Sequence, residues 1–274
     1  MTQFMNTIEF KDIIYTYFRA HGRDLPWRRT RNPYYIMVSE IMLQQTQVER
    51  VLGKYEEFLH LFPNVKKLAQ TSLPLVLKAW QGLGYNRRAR NLWICAQNIL
   101  TRHGGKIPET ETELTALPGV GQATAGALMA FTHDKPVVFI ETNIRTVFLY
   151  FFFMQRQAVH DKELMPLIAS TLDKENPRLW YYALMDYGVF LKKKYPRLHQ
   201  KSAHYKKQTA FKGSRREVRS MILVRLLEER VLVLNEVAKL SKRSPADIKS
   251  IAEDLHKEGF VTLDEQKIKL REKG

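Results

Sequence analysis
Apolar side chains recur at helical spacing along most of this chain. The pattern predicts helices over residues 8–18, 34–47, 48–61, 73–83, 86–102, 143–153, 164–172 and 178–190. Pro26, within Arg23-Asp24-Leu25-Pro26-Trp27-Arg28-Arg29, separates the first two. Gly82-Leu83-Gly84 stops the fourth, and Asn86 stands where it can cap the fifth. Strand signals are nearly absent here, so the body is expected to be all-α. Around Leu117-Pro118-Gly119-Val120-Gly121-Gln122-Ala123-Thr124-Ala125, a short helix ends, a tight turn follows and an apolar helix begins. The two glycines allow positive φ and leave the backbone uncovered. The turn opens a helix, so its free N–H groups form an anion site. Such a hairpin grips a nucleic-acid phosphate without reading sequence. A plain connector between core helices fits the same residues equally well.

The pattern changes at Lys192. Lys192, Lys193, Lys194, Arg197, Lys201, Lys206, Lys207, Lys212, Arg215, Arg216 and Arg219 face one acid, Glu217. This reads as a basic linker over 192–213, lying on nucleic-acid backbone or simply solvated. A compact unit follows over 214–274. Helices are expected over 218–228 and 234–240, and a third is opened by Ser244-Pro245-Ala246-Asp247 and closed at Gly259. Residues 260–263 and 267–270 alternate as a hairpin. Three helices and a hairpin make a winged helix. Its outward residues Lys249, Ser250, Glu253, Asp254 and Lys257 are mixed in sign, which favours backbone or protein contact over base reading.

Charge sharpens this picture. The 274 residues carry a net charge of +16, and their hydrophobic share of 45% is enough for real cores. That excess is a strong electrostatic prior for a polyanionic partner. No run of about 18 apolar residues supports a membrane span, and the opening residues lack the order of a signal peptide. The single cysteine, Cys95, excludes an internal disulfide and lies on an apolar helix face, where an inert buried thiol is expected. A reduced, cytoplasmic, nucleoid-associated monomer that binds duplex DNA is the expectation.

Two carboxyls could carry chemistry. Glu40 shares its helix with Ile36, Val38, Ile41, Met42 and Leu43, and a carboxyl against such a face has a raised pKa. A lone surface Glu is the bland alternative. Gln44 and Gln45 follow, and amides there can fill a gap in a duplex. Glu141 stands before a helix that Asn143 could help start. A carboxyl pair near a phosphate-gripping turn suits glycosidic bond cleavage: one protonates the leaving group and the other stabilises an oxocarbenium ion.

Leu25-Pro26-Trp27, Ser39-Glu40-Ile41-Met42-Leu43-Gln44-Gln45-Thr46-Gln47, Gly82-Leu83-Gly84-Tyr85 with Arg88-Ala89-Arg90-Asn91-Leu92, and Leu117 to Gly121 with Thr124-Ala125 occur in that order. Together they resemble the MutY-type adenine DNA glycosylases of the helix–hairpin–helix superfamily, over about residues 8–190. The resemblance implies a two-lobed glycosylase domain over 1–191, with a six-helix lobe at about 30–136 and a second lobe from 1–29 plus 137–191. It implies excision, after base flipping, of adenine opposite 8-oxoguanine or guanine. Glu40 is then the acid, Glu141 stands for the catalytic aspartate, and Asn143 orients the centre. Leu25, Trp27 and Arg28 lie around the base pocket. Gln45 and Tyr85 wedge the stack. Gln44, Arg88, Gly119, Val120, Gly121, Thr124, Lys192, Lys193, Lys194, Arg215 and Arg216 complete the expected DNA contacts. A monovalent cation at the hairpin turn would fit the resemblance.

The chain departs from that pattern in several places. Glu141-Thr142-Asn143 replaces Asp-Gly-Asn, and one methylene can shift a carboxylate by about an ångström, worth about a hundredfold in rate. Ala123 stands where bifunctional relatives carry a Schiff-base lysine, so a monofunctional enzyme is expected. The four cysteines of the family's iron–sulfur cluster are absent, and Lys192, His199 and Ser202 in their region cannot bind it. No cofactor is therefore expected. Tyr182 replaces a Gln or Glu that contacts the base, and the winged helix stands where the family reads the oxidised guanine. Two alternatives stay open: excision of thymine or uracil opposite guanine, or a damage-binding protein on the same scaffold.

Overall fold
A computed structural model describes residues 6–207 and 210–271; residues 1–5, read above for targeting, lie outside them. The helices run α1 (Thr7–His21), α2 (Pro33–Leu43), α3 (Val48–Leu61), α4 (Val65–Ala69), α5 (Leu73–Ala79), α6 (Arg87–Arg102), α7 (Glu111–Thr115) and α8 (Gln122–His133). Then come α9 (Thr142–Phe152), α10 (Asp161–Thr171), α11 (Pro177–Lys194), α12 (Arg215–Glu229), β1 (Val231–Val233), α13 (Leu234–Ser241), α14 (Pro245–Lys257), β2 (Val261–Asp264) and β3 (Lys267–Leu270). The protein is mostly helical, with its strands in the C-terminal region.

Several elements differ from the sequence expectation for local reasons. Helix α2 stops at Leu43 because Gln45 turns left-handed, at φ 56°. Helix α4 is one turn long, too short to show periodicity, and is started by Asn64, whose side chain accepts from Lys67 N–H at 2.9 Å. Asn86 occupies the N-cap position of α6 but with helical backbone angles and no side-chain capping bond. Helix α11 runs on through Lys192, Lys193 and Lys194, so the expected linker begins as the last turn of a helix. Cations there complement the helix dipole, and their charge hides the helix from a composition reading.

The described residues divide into two compact units: 6–40, 109–116 and 120–207 in the first, 41–108, 117–119 and 210–271 in the second. The first unit is built on α9, α11 and α1. Phe10 of α1 sits among Phe148, Phe151, Phe152 and Trp180, with ring centroids 5.1 to 5.8 Å away. Helices α9 and α11 touch backbone to backbone. A Cβ on Gly188 would fall 2.4 Å from the Asn143 carbonyl oxygen, so only glycine fits that crossing.

The second unit packs α4 and α5 on α6. Trp93 Nε1 donates to Thr71 O at 2.8 Å and Trp80 Nε1 to Gly84 O at 3.0 Å, so both buried indoles are satisfied. The described C-terminal residues lie within this unit. They form the winged helix, with a three-stranded antiparallel sheet ordered β1-β3-β2 rather than a bare hairpin. Ile222, Val237, Ile248, Ile251, Leu255, Phe260 and Ile268 fill its core. Glu258, after α14, bridges Arg87 of α6 and Arg219 of α12. Gly259, at φ 74°, lies under the Arg90 guanidinium, where a Cβ would stand 2.5 Å from Nη2.

Candidate active site
In the first unit, Glu40 lies on the last turn of α2, partly covered, after the fully buried Met37, Val38 and Ser39. Burial, reinforced by the negative charge of Glu141, pushes its pKa up to about 8, against a smaller pull from Arg28. No hydrogen bond contributes to that shift. The group is therefore a neutral acid at pH 7, with a proton to give.

Glu141 has the opposite setting. It is the N-cap of α9, and its Oε1 accepts from the backbone N–H of Asn143 and of Ile144, both at 2.8 Å. Asn143 Nδ2 donates to Oε2 at 3.1 Å, and Lys192 Nζ donates to Asn143 Oδ1 at 3.5 Å. The cap is thus made by Glu141, with Asn143 as its companion. Burial raises the Glu141 pKa, while the two backbone donors, Lys192 and Arg145 pull it down. Arg145 itself is held by Asp161 through bonds of 2.6 and 2.7 Å.

Beside Glu40, the Tyr182 ring lies between Phe131, at a centroid distance of 4.5 Å, and the Arg28 guanidinium, 4.5 Å from its centroid. Burial pushes the Tyr182 phenol up to about 12, so it is neutral. Arg28 forks onto both oxygens of Asp186 at 2.8 Å, and Arg23 adds its Nε at 2.7 Å and its backbone N–H at 2.8 Å. These donors hold the buried Asp186 carboxyl below the usual carboxylate range in spite of its burial. Arg178 Nη2 donates to Arg28 O and Thr30 O, both at 2.7 Å; the sequence does not single out Asp186 or Arg178, although a lone acid in the apolar run Leu184-Met185-Asp186-Tyr187 is a readable signal. Leu25 and Trp27 are core residues, at 6% and 4% exposure. Ala123 is half-buried in the first turn of α8 and offers no nucleophile.

The hairpin keeps an open end. Gly121 is the N-cap of α8 and is exposed, so this 12-residue helix starts at the surface without a side-chain cap. Its φ is −90°, so any residue could adopt that backbone; only Gly119, at φ 83°, needs glycine's freedom. Val120 and Thr124 turn their side chains inward, at 4% and 9% exposure, so the expected contact from them is limited to backbone.

In the second unit, Gln44 Nε2 donates to Gly119 O at 3.2 Å. Gln45 and Tyr85 are both left-handed, at φ 56° and 48°, a conformation that costs non-glycine residues about 1–3 kcal/mol. Tyr85 Oη accepts from Arg216 Nη1 at 3.4 Å. Arg88, expected among the DNA contacts, is turned into the protein. It is 8% exposed and donates to Ile41 O, Met42 O, Thr46 Oγ1, Leu83 O and Gly84 O at 2.6 to 3.2 Å. Those carbonyls end α2 and the Gly82-Leu83-Gly84 turn, and a guanidinium supplies their missing donors. Arg215 is likewise engaged, pairing with Asp247 and Asp254 of α14. Lys193 and Lys194 are exposed; Lys192 is half-buried.

An iron–sulfur cluster needs thiolates, and the chain has one cysteine. Cys95 is buried in α6, its thiol pushed up to about 12 by burial. The residues after α11 do not fit the cluster. Their segment is fastened by protein contacts instead. Val159 N–H donates to Lys201 O and Ala203 N–H to Val159 O, both at 2.9 Å, while Leu198 is buried and Tyr195 stacks on Tyr150. No helix of the described residues is long and apolar enough to cross a membrane.

Residues 38–171 match the family model described as HhH-GPD superfamily base excision DNA repair protein. A curated adenine DNA glycosylase of Buchnera aphidicola subsp. Baizongia pistaciae is 33% identical over 192 residues, covering 68% of this chain and 54% of that protein. One of Mycobacterium tuberculosis is 42% identical over 132 residues, covering 48% and 43%. The chain thus spans about half the length of these curated relatives. A solved structure of a thermostable thymine-DNA glycosylase superposes with a TM-score of 0.60 at 26% identity, covering 67% of this chain and 86% of that one. Residues 38–171 thus carry an HhH-GPD match, and the curated relatives that the chain resembles are adenine DNA glycosylases.

Proposed function
We propose that this chain is a monofunctional DNA glycosylase that flips adenine out of duplex DNA, opposite 8-oxoguanine or guanine, and cleaves its N-glycosidic bond. The observation that carries the reading is the pair of unlike carboxyls in one unit: Glu40 with its pKa pushed up to about 8 and no hydrogen bond behind the shift, Glu141 with two backbone N–H groups donating to its Oε1. Glu40 gives its proton to the ring of the flipped adenine. The bond from sugar to base then breaks with its electrons leaving on the base. Glu141 stabilises the sugar cation, or forms a transient ester with it, until water adds and the proton returns to Glu40. Ala123 offers no amine, so the product is an abasic site with an intact strand. The N-terminus of α8 binds a phosphate, and Gln45 and Tyr85 hold the opened stack. No step passes through a metal.

The test is a single-turnover assay on a duplex with one adenine opposite 8-oxoguanine, with alkali cleaving abasic sites. Adenine release that Glu40→Gln abolishes supports the reading; tight binding without release by the wild type sinks it. The likeness to a thymine-DNA glycosylase, together with the Tyr182 phenol beside Glu40, favours a second reading: thymine opposite guanine. A panel of mismatched duplexes separates the two.

A further inference from the structure
Lys192 is the place where the basic run meets the chemistry. It is half-buried on α11, one turn after Gly188 and on the same helix face. Gly188 lets α11 approach α9 at Asn143, and the next turn brings the Lys192 ammonium against the Asn143 side chain. The amide is then caught between a group that only donates and one that only accepts. Its oxygen faces Lys192 at 3.5 Å and its nitrogen faces Glu141 Oε2 at 3.1 Å, so its orientation is fixed. We infer that Lys192 is a positioning residue: it locks the Asn143 amide and gives the Glu141 carboxylate a counter-charge.

The charges around this relay are few. Glu141 feels Lys192 and Arg145 as cations and acts on Glu40 as an anion. Arg145 is shared with Asp161, whereas Lys192 forms no ion pair with an acid among the described residues and, after burial, further lowers the pKa of the neighbouring His199. Losing the Lys192 charge therefore shifts Glu141 toward its neutral form. This is a different role from phosphate contact, which a lysine in a basic stretch would ordinarily have.

The inference rests on the proposed role of Glu141, and its test separates the two. Single-turnover base release is followed against pH for the wild type, Lys192→Met and Lys192→Arg, with melting temperatures to check folding. Loss of the cation moves the acid limb of the Lys192→Met profile upward by about one pH unit, slowing release about tenfold on that limb. Lys192→Arg, which keeps the charge, restores most of it. A Lys192→Met profile that superimposes on the wild type, with only weaker DNA binding, overturns the inference. Should the wild type release no base, carbon-13 spectra of glutamate-labelled protein decide instead, with the Glu141 signal assigned by its loss in Glu141→Gln. An upward shift of the Glu141 titration in Lys192→Met supports the inference, and an unchanged titration overturns it.

Discussion
The end of α2 and the start of α9 each present one glutamate in the same unit, and the two helix ends treat it oppositely. At the C-terminal end of α2, Glu40 meets burial, another carboxyl and the unfavourable end of a helix dipole. At the N-terminus of α9, Glu141 receives two backbone N–H groups and an amide. Burial raises the pKa of both side chains, and only Glu141, at a helix N-terminus, has backbone donors that offset it. The lesson concerns Glu141 most. An extra methylene relative to aspartate is accommodated by curling the carboxylate back onto its own helix.

The largest expected effect breaks the donor side. Glu40→Gln should slow base release by about a thousandfold or more in single-turnover assays, since general acid catalysis is worth roughly 10²–10⁴. An intact rate would remove Glu40 from the chemistry. Next comes the support behind Arg28. Asp186→Asn leaves Arg23 and Arg28 facing a neutral partner in a buried site and should cost on the order of 3 kcal/mol in urea denaturation.

Stability against pH sharpens the same contrast. Below pH 4.5 Glu40 holds its proton in both folded and unfolded chains, so it contributes no pH dependence. Between 4.5 and about 8 the unfolded chain releases that proton while the folded one keeps it, and stability falls as pH rises. Above pH 8 Glu40→Gln should accordingly be more stable than the wild type, on the order of 5 kcal/mol, and the gain should vanish below pH 4.5. The smallest effect is on the capping side. Glu141→Ala should lose about 1 kcal/mol of stability through α9, and should lower the Glu40 titration by removing the neighbouring charge, as read by carbon-13 shifts.

Much of this arrangement is legible in the residues. Long amphipathic helices such as α3 coincide with the periodicity, and Glu40 stands out as an acid on an apolar face. Other features depend on contacts between residues far apart in sequence. Arg88 reads as one of several arginines near a glycine turn; only folding shows that its two terminal nitrogens are taken up by α2 and that turn. Lys192 reads as linker because its neighbours are lysines, while its surroundings are set by Gly188 a turn earlier. Strand β1 is three residues long and gains its identity only by pairing with β3.

Glu258 and Gly259 have a consequence for how the protein is made. They close over Arg87 and Arg90, residues synthesised some 170 positions earlier. While translation proceeds, the N-terminal end of α6 must wait for its covering, with basic groups and apolar neighbours open to solvent. Contacts of such sequence separation are slow to close. The second unit is therefore the late-completing part of the chain, and stalled or shortened products should show it as the first region open to proteases.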